Sequence, residues 1–253
     1  MINIYIYQDE PSPSLDIDRV TLFLNSFNQN EVIIRNLSDY TNIDSNNDKE
    51  FSEYLDSIKI GDIELPLDKR RFEDEFVKSD IKPGEVRENF FDGYWLQRKL
   101  YSVIFSHFSD EIRDDCLHIV LTGRLFGTFG TRRYHARVLL TGEPCLLSTS
   151  GIVEAPAKSR EYYFAKAKFL VEERDLSELN EIFAGSYVEY DSPKITDIIC
   201  SYILQLIKYR YTGEPFCPSD KCCLYNSHWQ KDVLELQYKK EMCDECRNIL
   251  CIS

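Results

Sequence analysis

The chain has 253 residues, 43% hydrophobic and 13% aromatic, which suits one large globular domain and excludes a disordered chain. Thirty basic against 43 acidic residues leave a net charge of −13, which argues against an extended nucleic-acid surface or an anionic membrane as partner. The most apolar window, residues 195–207, is too short to span a bilayer and is interrupted by Asp197, Ser201 and Gln205. The first residues lack the basic start and cleavage site of a signal peptide, and nine cysteines without one point to a reducing cytoplasm.

Ile2, Ile4 and Ile6 alternate with other residues and predict an opening strand, broken at Pro11 and Pro13. Asp16 then caps a helix with Val20, Phe23, Leu24 and Phe27 on one face, and after a turn at 28–30 residues 32–35 form a second strand. If the two strands are parallel neighbours, their crossover is right-handed. Residues 37–49 read as a polar loop, and Phe51, Tyr54, Leu55 and Ile58 as one face of a helix. The charged stretch 62–86, with Pro66, Pro83 and Gly84, reads as a surface insertion carrying one short helix at 71–78. Residues 93–105 predict a core helix with Leu96, Leu100, Val103 and Ile104 inward, and Trp95 and Trp229 are expected to pack.

Three strands are expected in the middle, at 116–122, 134–140 and 145–148, the last two joined antiparallel by the turn at Gly142-Glu143-Pro144. Between the first two lies a glycine-rich stretch with Gly123, Gly127 and Gly130. No acidic residue occurs from 116 to 142, yet Arg124, Arg132, Arg133 and Arg137 do. Read as a loop, Gly127 and Gly130 with these four arginines would cup a carboxylate or phosphate of a peptide or anionic small molecule. The plainer alternative is a hairpin whose arginines pair with the chain's own carboxylates. His135, Ser148, Ser150 and Glu154 could converge beside it as base, nucleophile and orienting acid, although no nucleophile-elbow motif supports them, and strand-end capping is the simpler reading. His118, Cys116, Cys145 and Cys200 sit in apolar runs and read as core residues.

Helices follow at 159–173 and 177–183. Pro193 then opens a strongly apolar one through Ile195, Ile198, Ile199, Tyr202, Ile203, Leu206 and Ile207, ending at Thr212-Gly213. An all-round apolar helix is a central one. It feeds directly into Cys217-x4-Cys222, and Cys243-x2-Cys246 comes later. Two local thiolate pairs suit the tetrahedral preference of a structural zinc. Disulfides, a redox C-x-x-C and idle thiols are the alternatives; adjacent Cys223 could replace Cys222, His228 is an outside ligand, and Cys251 has no evident partner.

This same stretch resembles the C-terminal end of the archaemetzincins, a family of zinc metallopeptidases. Their active-site helix reads H-E-x-x-H-x-x-G-x-x-H and is followed at once by Cys, x4-Cys-x-Met and later C-x-x-C. Laid on Gly213, the family's four cysteines fall on Cys217, Cys222, Cys243 and Cys246, and its methionine on Leu224. The three catalytic histidines fall on Leu206, Arg210 and Phe216, and the glutamate on Ile207. The chain as a whole is also similar to an uncharacterised, mainly archaeal family described only as metallopeptidase-like. The resemblance implies a single metzincin-like α/β (α+β) domain over 1–253, a mixed sheet packed by helices, with a zinc-binding segment at 213–253. It implies a binding or regulatory protein without the peptidase ligands; the alternative is a hydrolase with its site relocated to His135, Glu154 and the glycine-arginine loop.

Overall fold

The N-terminal alternation of apolar residues becomes strand β1 (Asn3–Asp9), followed by helix α1 (Ile17–Ser26), strand β2 (Glu31–Asn36) and helices α2 (Ser38–Thr41) and α3 (Lys49–Ser57). Strand β3 (Phe90–Asp92) leads into α4 (Gly93–Phe108), and five strands follow: β4 (Cys116–Thr122), β5 (Leu125–Gly130), β6 (Arg133–Arg137), β7 (Leu139–Leu140) and β8 (Cys145–Ser148). The rest is helical: α5 (Thr149–Glu154), α6 (Arg160–Val171), α7 (Leu176–Ile182), α8 (Lys194–Thr212), α9 (Gln230–Asp232) and α10 (Asp244–Cys251). The structure, a computed structural model, describes residues 2–26, 31–41, 49–60, 90–112, 115–130 and 133–251. The expected turn at 28–30 and the 62–86 insertion with its 71–78 helix lie outside these residues.

A five-stranded sheet runs in the order β2-β1-β4-β8-β7. The four strands β2, β1, β4 and β8 are parallel, and β7 closes one edge antiparallel to β8. Because side chains alternate across a strand, β1 supplies both faces. Ile2, Ile4 and Ile6 pack with Leu117, Ile119 and Leu121 beneath α1 and α8, while Tyr5 and Tyr7 pack with Val120 and Leu146 beneath α3 and α4. Every residue of β4 is buried, as expected for a central strand covered on both sides. Asp16 accepts the Arg19 N–H at 2.9 Å and so starts α1. Gly213 ends α8 with φ 76°, a left-handed conformation that glycine adopts without penalty.

Four expectations need correction. The glycine-rich stretch is not a loop but a strand, β5, which forms the alternative hairpin with β6 in a second sheet of order β3-β5-β6. A Cβ on Gly127 would stand 2.5 Å from the Phe90 ring and 2.7 Å from the His135 carbonyl, so this glycine serves close strand approach. Second, the strand expected at 134–140 divides at Val138: β6 pairs with β5, and only Leu139–Leu140 reach β8. Third, Trp95 and Trp229 are 50% and 38% exposed. Trp95 lies on the outer side of α4, opposite Leu96, Leu100 and Ile104, with the Arg98 guanidinium over its ring. Residues 38–41 also form α2 where a loop was expected.

No helix among the described residues is long and apolar enough to cross a membrane. Cys145 and Cys200 are buried core thiols, and burial pushes each up to about 12. Ionising either thiol requires charge in an apolar core, so the folded chain holds both protons above the ordinary thiol value of 9.0. That stabilisation is complete below pH 9 and is lost as pH rises from 9 towards 12. Urea midpoints are expected to fall over this window as the unfolding free energy drops by up to roughly 1.4 kcal/mol per pH unit for each thiol. Cys145→Ala should flatten the slope, and a midpoint that holds steady across the window would contradict it.

Candidate metal centre

The C-terminal segment is placed by the helix before it. Beyond Gly213 the Lys208 ammonium donates to the carbonyls of Glu214 and Phe216 at 2.7 and 3.0 Å, folding the chain back against α8. Cys217 N–H then donates to the Leu224 carbonyl at 2.8 Å and Cys222 N–H to Ser219, closing a small knuckle. Ser219 N–H points at the Cys217 sulfur at 3.4 Å. The second pair straddles the start of α10, where Arg247 N–H donates to the Cys243 carbonyl at 2.9 Å. Gln237 ties the two parts together: its amide donates to the carbonyls of Cys223 and Tyr225 at 3.0 and 2.9 Å.

The result is a cluster in which the sulfurs of Cys217, Cys222, Cys243 and Cys246 all lie within 4.8 Å of one another. Zinc–sulfur bonds of about 2.3 Å in a tetrahedron place the sulfurs roughly 3.8 Å apart. Cys217 and Cys243 are separated by 3.7 Å. The donor set therefore fits a structural zinc, with every position taken by protein and none left for a water.

The protons of the cluster are unevenly held. Burial raises Cys217, and burial with the hydrogen bond to Cys217 raises Cys246 strongly. Burial also opposes ionisation of Cys243, but the Cys246 N–H and neighbouring thiols outweigh it and hold Cys243 below its ordinary value. Four thiolates at this spacing repel one another, and a divalent cation is what offsets that repulsion. Cys223, adjacent in sequence, faces the core, where burial pushes it up to about 12. His228 is exposed and outside the cluster, its carbonyl accepting from Ala157 N–H.

The positions aligned with the family's catalytic residues are occupied differently. Leu206 and Ile207 are buried in the apolar core, Phe216 is half-buried, and Arg210 is exposed with its Nε 3.5 Å from the Cys116 carbonyl. The four histidines of the sequence stand at 107, 118, 135 and 228, so no two have the spacing of H-E-x-x-H.

Most of the remaining candidates are engaged within the fold. Arg124 turns inward: its Nε is 3.0 Å from Asp9 Oδ2, and the side chain is 10% exposed, so it pairs with an internal carboxylate rather than facing a ligand. Arg137 is exposed and donates to Thr128 Oγ1 at 2.9 Å. Gly127 and Gly130 belong to β5, Arg133 contributes backbone to β6, and Arg132 lies outside the described residues. His135 Nε2 bonds to the Gly130 carbonyl, Ser148 Oγ donates to the Arg124 carbonyl, and Ser150 Oγ donates to the Gly123 carbonyl. Glu154 accepts from Tyr190 OH. The serine hydroxyls thus serve as caps, Ser148 also accepting Gly151 N–H at the start of α5.

Sequence reasoning missed Asp9. It is fully buried at the end of β1 and accepts from Thr41, Thr122 and Arg124. Its partners come from three distant stretches, and nothing local in the sequence marks it.

A parallel sheet with one antiparallel edge strand, a buried helix beneath it and a four-cysteine cluster beyond that helix make up a fold that solved structures share. The zinc-dependent peptidase of Methanocorpusculum labreanum (strain Z) shares it at a TM-score of 0.50 and 14% identity, over 98% of this chain and 99% of that one. The archaemetzincins of Methanopyrus kandleri and Archaeoglobus fulgidus align over 98% of this chain and 93% and 99% of theirs, at TM-scores of 0.46 and 0.45 and identities of 11% and 12%. No curated protein matches. The chain belongs to the family described as "Probable metallopeptidase family (DUF6775)", whose model matches residues 1–251.

Proposed function

We propose that this protein is a catalytically degenerate member of its metallopeptidase family, a binding or regulatory module held together by a structural zinc on Cys217, Cys222, Cys243 and Cys246. One observation carries the reading: the positions where the resemblance would seat a catalytic ion hold Leu206, Ile207, Arg210 and Phe216, while the thiolate cluster is complete. A hydrolytic zinc needs three protein ligands, a water and a base, and leucine, isoleucine and phenylalanine provide none of these. Bound to the four sulfurs, zinc would supply folding energy and no open coordination position. The arginine-bearing second sheet, with Arg137 outward, is the proposed contact for a peptide or anionic small molecule in the cytoplasm.

Protein purified without chelator should contain one zinc per chain and leave unstructured protein and peptide substrates intact. Two metal ions per chain, or hydrolysis abolished by His135→Ala and kept by Arg210→Ala, would overturn the reading in favour of the relocated hydrolase site.

A further inference from the structure

A cavity of about 210 Å³ opens beyond the carboxyl ends of the parallel strands, beside the first turn of α8. The thiolate cluster lies past the other end of this 19-residue helix, about 28 Å along its axis. The position follows from topology. From β1 the chain crosses to β2 on one side, whereas from β4 it goes on to β8 on the other. Where strand order reverses in this way, the connections part and leave a crevice at the carboxyl edge. Gly123 forms its floor: a Cβ there would lie 2.1 Å from the Glu10 carbonyl, so only glycine lets the ends of β1 and β4 meet.

The polarity of the walls is one-sided. Ser150 Oγ donates to the Gly123 carbonyl at 2.5 Å, Thr149 Oγ1 to Thr122 at 3.4 Å, and Ser12 Oγ to Asp191 Oδ1 at 3.1 Å. These hydroxyl hydrogens are spent within the protein, so the walls offer lone pairs and the carboxylates of Glu10 and Asp191. Pro11, Pro13, Ile195 and the Tyr190 ring supply the apolar remainder, the Tyr190 hydroxyl donating to Glu154 at 2.8 Å. The half-charges at the starts of α8 and of the short α5, whose first residues Thr149 and Ser150 line the wall, favour an anion, but two full carboxylate charges exceed them. Arg124 reaches Glu10 only at 3.7 Å because its closer partner is Asp9. Among the described residues, three or more metal-type ligands converge only at the four cysteines, so the cavity lacks the donor count for a bare metal ion.

We infer that this cavity binds a small organic cation, an ammonium or guanidinium on a short aliphatic chain, with its charge between Glu10 and Asp191 and its chain against the prolines and Ile195. The site is independent of the thiolate centre and of the absence of peptidase ligands.

The test is a titration of metal-loaded, isoleucine-methyl-labelled protein with butylammonium, the Ile195 methyl being assigned through Ile195→Val. That methyl should shift saturably below roughly 10 mM, and Glu10→Gln with Asp191→Asn should weaken binding by about tenfold or more. Asparagine tolerates the left-handed backbone at position 191, φ 59°, and still accepts from Ser12, so the remaining methyl signals should stay in place. No saturable shift, an equal response to butyrate, or undiminished affinity in the double variant would each overturn the assignment.

Discussion

Cys217→Ser and Cys246→Ser should each abolish stoichiometric zinc and unfold the C-terminal segment, with loss of most of the chain's stability. The magnitude follows from comparing two quantities. Structural zinc sites contribute on the order of 10–16 kcal/mol of coupled binding and folding energy at neutral pH, whereas a whole domain is stable by about 5–15 kcal/mol. A serine hydroxyl is a poor zinc ligand at this pH, and three remaining sulfurs do not complete the tetrahedron. The loss spreads because Cys217, Cys222 and Cys246 belong to the same buried cluster as Ile203, Leu206 and Leu224. Cys223→Ala is the control: it removes a buried sulfur that is not one of the four ligands and should retain the metal at a cost of about 1 kcal/mol. Metal analysis with thermal melts, before and after chelation, reads all three. A Cys246→Ser protein melting with the wild type would contradict the account.

Asp9→Ala is expected to cost about 3–5 kcal/mol, the usual penalty for removing one member of a buried ion pair. Asp9 is 0% exposed, and the Arg124 guanidinium that it neutralises also has the Thr41 carbonyl at 3.4 Å and the Phe51 ring at 5.6 Å. Removing the carboxylate leaves that cation only the more distant Glu10 carboxylate at 3.7 Å and takes an acceptor from the hydroxyls of Thr41 and Thr122. Asp9→Asn keeps an acceptor and should cost less. In a double-mutant cycle, Arg124→Met restores part of the loss, because a buried charge is worse than none. Additive losses in urea denaturation would show that the pair is not coupled.

These two sites were unequally legible in the sequence. The cysteine pairs stand out because zinc ligation imposes short fixed spacings, and α8 does so because burial all round leaves a strongly apolar run from Ile195 to Ile207. Strand β4 was visible for the same reason, and β1 through the alternation of Ile2, Ile4 and Ile6. The second sheet was not: Gly123, Gly127 and Gly130 look like a loop, whereas the need for Gly123 and Gly127 comes from neighbours, Glu10, Phe90 and His135, that only the fold supplies. The division of the strand at Val138 depends on which partner each half finds, Thr128 for His135 and Leu147 for Leu139. Asp9 was hidden because its three partners are 32 to 115 positions away.

The junction at Val138 has a mechanical consequence. One residue separates the strand that ends the small sheet from the strand that edges the large one, and the Ser148 N–H holds its carbonyl at 2.8 Å. Gly151 leaves no slack alongside, since a Cβ there would lie 2.3 Å from the Arg137 carbonyl. Any load taken up by Arg137 is therefore passed as tension along a taut stretch of main chain into Leu139 and Leu140, with no loop in between to absorb it.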